Sequence, residues 1–196
     1  MNLALFDFDG TITTREMFPD FMRFAVAPRR LAVGKLLLAP LVAGYRMGWV
    51  DGNLTRASVV QVGLRGVDAA RLRERGEAFA RDVLPGALRP EAMARIDWHR
   101  AQGDRIVVVS GGLDVYLAPW CRRQGLELLC SVLAMRGGRM AGYAGAQCVG
   151  DEKVRRIRSL CDPSAYRAVY AYGDTHEDNA MLAMADRRFY RWKEVA

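Results

Sequence analysis

The stretch Ala4-Leu5-Phe6-Asp7-Phe8-Asp9-Gly10-Thr11 constrains this chain more than any other. An apolar run from Leu3 to Phe6 leads straight into two carboxylates, a glycine and a threonine. Apolar character without alternation fits a strand buried on both faces of a parallel sheet. Gly10 breaks the run, so Asp7 and Asp9 fall where the strand ends. Residues i and i+2 of a strand point to the same side. Both carboxylates are then presented at the carboxyl edge of the sheet, where open α/β sheets bind ligands. Like charges this close are costly unless a cation, a proton or a positive substrate group relieves them. Alone, the motif also fits an Asx-type turn after a strand.

The rest of the chain alternates as a βα protein should. Helical periodicity over 12–27 ends at Pro28, and 52–85 is again helical, with Leu54, Ser58, Val59 and Val62 on one face and Leu72, Ala78 and Phe79 on the next. Pro85-Gly86 marks a return to the main domain. Pro90–Gln102 is expected as a helix, Arg105–Val109 as a buried strand, Leu113–Gln124 as a helix closed by Gly125. Leu126–Met135 and Arg139–Tyr143 flank Gly137-Gly138 as a hairpin. Asp151–Leu160 reads as a basic helix, Ala168–Tyr172 as a strand, Asp178–Ala185 as a helix and Phe189–Trp192 as a last strand. The division is residues 1–13 with 86–196 as an α/β core, and 14–85 as a helical insert.

Within the insert, ten uncharged residues run from Leu36 to Tyr45, between Lys35 and Arg46. A membrane span needs about 20 apolar residues, so this run is too short, and Pro40 should kink or divide it. No acid lies between Arg23 and Arg46, while Arg29, Arg30 and Lys35 do. Two structures fit: a buried helix pair, or a segment lying in a membrane interface. The net charge of +7 agrees with an anionic membrane surface or an anionic small substrate. Nucleic acid is the weakest partner, because no basic block carries interleaved aromatics and no nucleic-acid motif appears. Cys121, Cys130, Cys148 and Cys161 form no Cys-x-x-Cys pair and only His99 and His176 accompany them, so reduced structural thiols are expected rather than zinc. The first strand begins with no basic stretch before it, which points to a cytoplasmic chain, with peripheral contact of the insert on the inner membrane face left open.

Two further strand ends carry chemistry. Val107-Val108-Val109-Ser110-Gly111-Gly112 is a strand ending in a hydroxyl and two glycines ahead of a helix, a setting in which backbone N–H groups approach an oxyanion. A serine helix cap fits the same residues. Tyr172-Gly173-Asp174-Thr175-His176-Glu177-Asp178 again sets carboxylates past a strand, an oxygen-rich set that suits Mg²⁺. Lys153 starts the helix between them. Parallel strands bring these ends to one edge of the sheet.

Asp7-x-Asp9-Gly10-Thr11, Ser110, Lys153 and Gly173-Asp174-x-x-x-Asp178, in that order, resemble the four motifs of the haloacid dehalogenase superfamily of phosphohydrolases across the whole chain. The resemblance implies a Rossmann-like three-layer sandwich with a mostly parallel sheet and an inserted helical cap. The cap is similar to that of the phosphoserine-phosphatase-like branch. Met17-Phe18 after the first motif, the apolar basic cap and Gly150-x-Glu152-Lys153 resemble the bacterial phosphatidylglycerophosphatase C type. By position, Asp7 is then the nucleophile that forms an aspartyl-phosphate, and Asp9 the general acid and base. Asp7, the Asp9 backbone carbonyl and Asp174 hold Mg²⁺; Ser110 and the Gly111 N–H hold a phosphoryl oxygen; Lys153 offsets charge; Asp178 positions metal-bound water or Lys153. Glu16 matches a glutamate that binds the substrate amino group. Val60 stands where that branch has a cap arginine, with Arg56 as stand-in, and His176-Glu177 replace a small residue and Asn. The expected reaction is Mg²⁺-dependent hydrolysis of a phosphate monoester, with a lipid phosphate such as phosphatidylglycerophosphate in front. Alternatives are a phosphoserine-like small metabolite, a non-catalytic phosphate-binding module, or a membrane-associated module.

Overall fold

In the computed structural model, which describes residues 1–195, the carboxylate-bearing strand lies inside a six-stranded sheet. It is β1 (Leu3–Phe6), followed by an irregular turn over Phe8–Ile12. Four helices come next: α1 (Phe18–Ala25), α2 (Pro28–Arg46), α3 (Gly52–Leu64) and α4 (Ala69–Asp82). Then come α5 (Pro90–Ala101), β2 (Arg105–Leu113), α6 (Asp114–Gln124) and β3 (Glu127–Ser131). A hairpin of β4 (Leu133–Arg136) and β5 (Arg139–Tyr143) precedes α7 (Asp151–Leu160), β6 (Val169–Gly173), α8 (Asn179–Ala183), β7 (Arg187–Tyr190) and β8 (Lys193–Val195). The sheet order is β3-β2-β1-β6-β7-β8, parallel except for β8, which pairs antiparallel with β7. β2 and β3 build outward on one side of β1, and the chain then returns to lay β6 on the other. Strand addition thus reverses at β1, and such a reversal opens the crevice that α/β sheets use for ligands.

The alternation of side chains along β1 divides the core into two. Ala4 and Phe6 pack with Ile106, Val108, Tyr116, Trp120 and Tyr172 on one face. Leu3 and Leu5 pack with Val107, Val109, Ala171, Ile157 and Met181 on the other. All four β1 side chains are fully buried, and Leu3, Leu5 and Phe6 each stabilise by about 2 kcal/mol. Across the sheet Phe6 stacks on Tyr172 at 4.2 Å and Tyr172 on Phe189 at 4.7 Å between centroids, tying β1, β6 and β7. His99 is a structural residue beneath this stack. Its Nδ1 meets Asp104 at 2.8 Å and its Nε2 meets the Tyr172 hydroxyl at 2.9 Å, and burial holds its pKa below the usual 6.5. The four cysteines are free thiols; burial pushes Cys121 up to about 12 and Cys148 up to about 11.

The helices α1 to α4 form a cap with a narrow neck. Thr13 and Leu88 pair in an antiparallel bridge, the Thr14 N–H donates to the Ala87 carbonyl at 2.8 Å, and the Arg89 N–H donates to the Ile12 carbonyl at 2.9 Å. The chain therefore leaves and re-enters the core at one place.

Several local expectations are corrected. Pro40 does not divide α2: Pro28–Arg46 is one helix with the proline inside it. Pro40 lacks the N–H that would bond the Leu36 carbonyl, and both residues lie on the exposed side of the helix, where a missing backbone bond costs least. Nor is α2 part of a buried pair; its buried residues are Gly34 and Gly44, while Leu36 is 79% and Leu37 65% exposed. α3 is rotated from the expected face: Leu54 is exposed, and Thr55, Val60, Gly63 and Leu64 are buried. β2 continues through Ser110-Gly111-Gly112 with a register shift before Leu113, because glycines allow the extended chain to run on without side-chain clashes. Residues 127–131 pair with β2 instead of entering the hairpin, which is confined to β4 and β5. The last predicted helix begins as a 3₁₀ turn over His176–Asp178, and β8 extends the edge beyond β7.

Gly76 shows how tightly cap and core meet. A Cβ there would lie 2.0 Å from the Val115 carbonyl oxygen of α6. Helix propensity alone predicts that Gly76→Ala stabilises by about 1 kcal/mol. The contact predicts the opposite, a loss of about 1–3 kcal/mol from overpacking. Thermal melting should therefore show Gly76→Ala several degrees below wild type, whereas Gly86→Ala, with open space around it, should melt within a degree or two.

Candidate active site

The ends of β1, β2 and β6 meet at the carboxyl edge of the sheet. The Asp7 N–H donates to the Tyr172 carbonyl at 2.9 Å, which locks Asp7 at the point where β1 leaves the sheet. The chain then turns through Gly10, whose φ is +81°, a left-handed conformation that favours glycine. A Cβ on Gly10 would sit 2.2 Å from Asp174 Oδ2, so the absent side chain makes room for the Asp174 carboxylate. The Thr11 hydroxyl donates to Asp174 Oδ1 at 3.3 Å.

Lys153 binds the pieces together. It lies in the first turn of α7, on the face that also buries Ile157 one turn on. Its Nζ donates to Asp7 Oδ1 at 2.7 Å and to Asp178 Oδ1 at 2.5 Å. The other Asp178 oxygen accepts the N–H groups of Asp174 and Thr175 at 3.1 and 3.0 Å. Asp178 thus holds both the lysine and the loop that presents Asp174. Burial disfavours the Lys153 charge, but Asp7 and Asp178 hold its pKa above the usual lysine range. Burial pushes Asp7 well above the usual carboxylate range; Lys153 opposes this, while Asp178 and Asp9 add to it. Burial also raises Asp174, with Asp178 acting in the same direction.

Burial pushes Asp9 up to about 7, against the hydrogen bond from the Met17 N–H, which reaches Asp9 Oδ1 at 2.7 Å. A carboxyl near 7 exchanges its proton readily at neutral pH. Ser110 is fully buried; its Oγ accepts the Gly112 N–H at 2.9 Å, which leaves the hydroxyl proton available to a further acceptor. Gly111 has no room for a side chain, since a Cβ would come within 2.7 Å of Val149.

These groups open into a cavity of about 380 Å³ between core and cap, lined on the core side by Asp7, Asp9, Gly111, Lys153 and Asp174. Glu16, Tyr45, Arg46 and Arg56 line it from the cap side. The structure therefore brings every sequence-predicted site residue to this cavity or, for Ser110, directly behind its wall. Arg56 is engaged there: its guanidinium pairs with Glu177 at 2.7 Å and bonds Gln147 at 3.0 Å. Gln147 carried no sequence signal, lying in an irregular loop. The Asp9–Met17 contact is made by a backbone N–H, which no side-chain motif encodes.

Asp7, Asp174 and Asp178 each offer an oxygen within 4.8 Å of the others, the one such cluster of potential ligands among the described residues. An all-oxygen donor set, with burial holding the Asp7 and Asp174 carboxyls up, fits a hard divalent cation.

A model of haloacid dehalogenase-like hydrolases matches residues 4–183. Protein CicA of Caulobacter vibrioides is 36% identical over 192 residues, covering 96% of this chain and 85% of that protein. A protein of unknown function from Bordetella pertussis Tohama I superposes with a TM-score of 0.82 at 22% identity, covering 96% of this chain and 89% of that one. A substrate-bound phosphoserine phosphatase superposes with a TM-score of 0.70 at 17% identity, covering 96% and 85%. These likenesses agree with the α/β fold described above.

Replacing Lys153 with Met leaves Asp7 and Asp178 facing each other without their shared cation. Breaking a buried charge pair in this way costs about 3–5 kcal/mol. Urea unfolding in chelator-treated buffer should show a loss of that size, with an unchanged denaturant slope.

Proposed function

The chain belongs to the haloacid dehalogenase-like hydrolase family, and from that premise we propose that it hydrolyses phosphate monoesters through an aspartyl-phosphate on Asp7. The observation that carries this reading is the buried Asp7 carboxylate held at 2.7 Å by Lys153 at the carboxyl end of β1. One Asp7 oxygen is oriented by the ammonium, and the other attacks phosphorus in line with the departing alkoxide. Asp9 gives its proton to that alkoxide and then takes one from the water that cleaves the aspartyl-phosphate. Its pKa of about 7 supports both roles. The Ser110 hydroxyl and the Gly111 N–H take a phosphoryl oxygen, and Lys153 offsets the charge that builds on the transferring group. Asp7, Asp174 and the Asp9 carbonyl would hold Mg²⁺, which would supply positive charge against the phosphoryl oxygens, while Asp178 holds Lys153 in place.

For the substrate we favour a lipid phosphate of the phosphatidylglycerophosphate kind. α2 supports this: it displays Val33, Leu36 and Leu37 to solvent beside Arg29 and Lys35, with Trp49 78% exposed just beyond. An apolar groove of about 560 Å³ runs between α2 and α3, and it shares Val42, Arg46 and Val59 with the catalytic cavity. No described helix is long and apolar enough to cross a membrane, so contact with lipid would be made from the surface. A phosphoserine-like metabolite is the second reading, and Glu16 on the cavity wall supports it as a partner for an ammonium.

Asp7→Asn should lower turnover of an aryl phosphate by at least a thousandfold while the protein remains folded, and no phosphoenzyme should be trapped on rapid acid quenching. Wild type should lose activity in EDTA and recover it with Mg²⁺ but poorly with Ca²⁺. Turnover by Asp7→Asn above about a tenth of wild type refutes the nucleophile assignment. For the substrate, Leu36→Ser combined with Leu37→Ser should release the protein from anionic liposomes and slow hydrolysis of a long-chain lipid phosphate. Hydrolysis of a small aryl phosphate should be retained, because both side chains are exposed and α2 packs without them. Equal loss on both substrates counts against the lipid.

A further inference from the structure

Arg56 is the guanidinium of α3 that lines the catalytic cavity, and almost all of its hydrogen-bonding capacity is used within the protein. Its Nε donates to Gln147 Oε1 at 3.0 Å and its Nη2 to Asn53 Oδ1 at 3.0 Å. The Glu177 carboxylate takes the other two bonds, from Nη2 at 2.7 Å and Nη1 at 3.4 Å. Four of the five N–H donors of a guanidinium are thereby engaged. Gln147 in turn donates to the Asn53 carbonyl at 2.7 Å, and the Glu177 carbonyl accepts the Gly150 N–H at 3.0 Å. This network joins the cap to both core loops that lead into the site, the one before Lys153 and the one bearing Asp174 and Asp178. The Arg56 and Glu177 side chains are 21% and 29% exposed, so water only partly screens their charges.

We propose that Glu177 is a specificity-determining residue of this cavity: by saturating Arg56 it removes a cation from the wall, so the site selects phosphate esters that carry no anion close to phosphorus. The inference rests on the reading of the cavity as a phosphate-ester site. A free guanidinium at this position would accept a carboxylate two or three atoms from the phosphate in a fork of two charge-assisted bonds. With Glu177 in place, an incoming carboxylate must displace a carboxylate already bound and leave it unpaired, which cancels the gain. A neutral alcohol portion meets no such opposition. Specificity of this kind comes as much from the repelling group as from the attracting one. The pair also ties α3 to the loop of Asp174, so the group that filters substrates is part of the contact holding the cap over the site.

The test compares binding of two phosphate mimics by calorimetry in Mg²⁺ buffer: methylphosphonate, without a second anion, and phosphonoacetate, with a carboxylate close to phosphorus. Glu177→Gln keeps the size and removes the negative charge that neutralises Arg56, leaving only an amide oxygen for an incoming carboxylate to displace. It should move the ratio of the two dissociation constants at least tenfold toward phosphonoacetate. Adding Arg56→Gln in the same chain should return the ratio to within threefold of wild type, which a merely structural role for Glu177 would not do. If the amide variant melts, Glu177→Ala makes the same comparison. A shift below threefold, or a shift that persists without Arg56, overturns the proposal. So does failure of wild type and variants to bind either mimic. Turnover of esters is read separately. A swing in the ratio without any hydrolysis leaves this inference standing and removes the hydrolase reading, whereas hydrolysis with an unchanged ratio does the reverse.

Discussion

The Lys153 ammonium, enclosed between Asp7 and Asp178, is the interaction on which the rest of this structure depends. A charge with almost no solvent contact is tolerated only when it is paired and its hydrogens are taken up. Here the pairing draws together three segments far apart in the chain: the end of β1, the first turn of α7 and the turn after β6. One lysine faces Asp7, Asp9, Asp174 and Asp178, so the site is short of positive charge. Burial raises the Asp7, Asp9 and Asp174 carboxyls, the neighbouring carboxylates add to it, and the shortage of positive charge makes the site receptive to a divalent cation.

Much of the fold was legible because burial on two faces leaves a plain mark. The unbroken apolar runs of β1 and β2 named the buried strands, and the polar residues at their ends named the site. α7 was legible from its bounds, and in retrospect Lys153 shared its buried face with Ile157. What resisted reading was of two kinds. Contacts made through backbone groups or between ordinary polar residues left no pattern, as with Met17 on Asp9 and Gln147 on Arg56. Elements whose apolar residues are not buried misled outright. α2 is apolar yet packs through Gly34 and Gly44, and Leu54 of α3 faces solvent. Periodicity reports what a helix would bury in a monomeric core, and α2 is not arranged for one.

The cap helices stand in different relations to the core. α4 is pressed so closely on α6 that Gly76 has no space for a methyl group. α1 is fixed through Phe21, which meets Phe79 and Tyr116 at 5.3 and 4.9 Å. α2 instead rides on α3 and touches the catalytic cavity through Val42, Tyr45 and Arg46. Packing against the core is therefore graded across the cap: tightest at α4 and loosest at α2, with the Arg56–Glu177 pair between them.

The position of β1 in the sheet has a consequence for synthesis of the chain. Its two neighbours are β2, which begins at Arg105, and β6, which begins at Val169. A strand so early in the sequence and so apolar has no partner on either side until more than half of the chain has left the ribosome, and only one until most of it has. Pairings of this span are slow to form and leave apolar edges open in the meantime. Asp7 and Asp9 are thus synthesised well before the strands that shelter them, and β1 stays unpaired until those partners arrive.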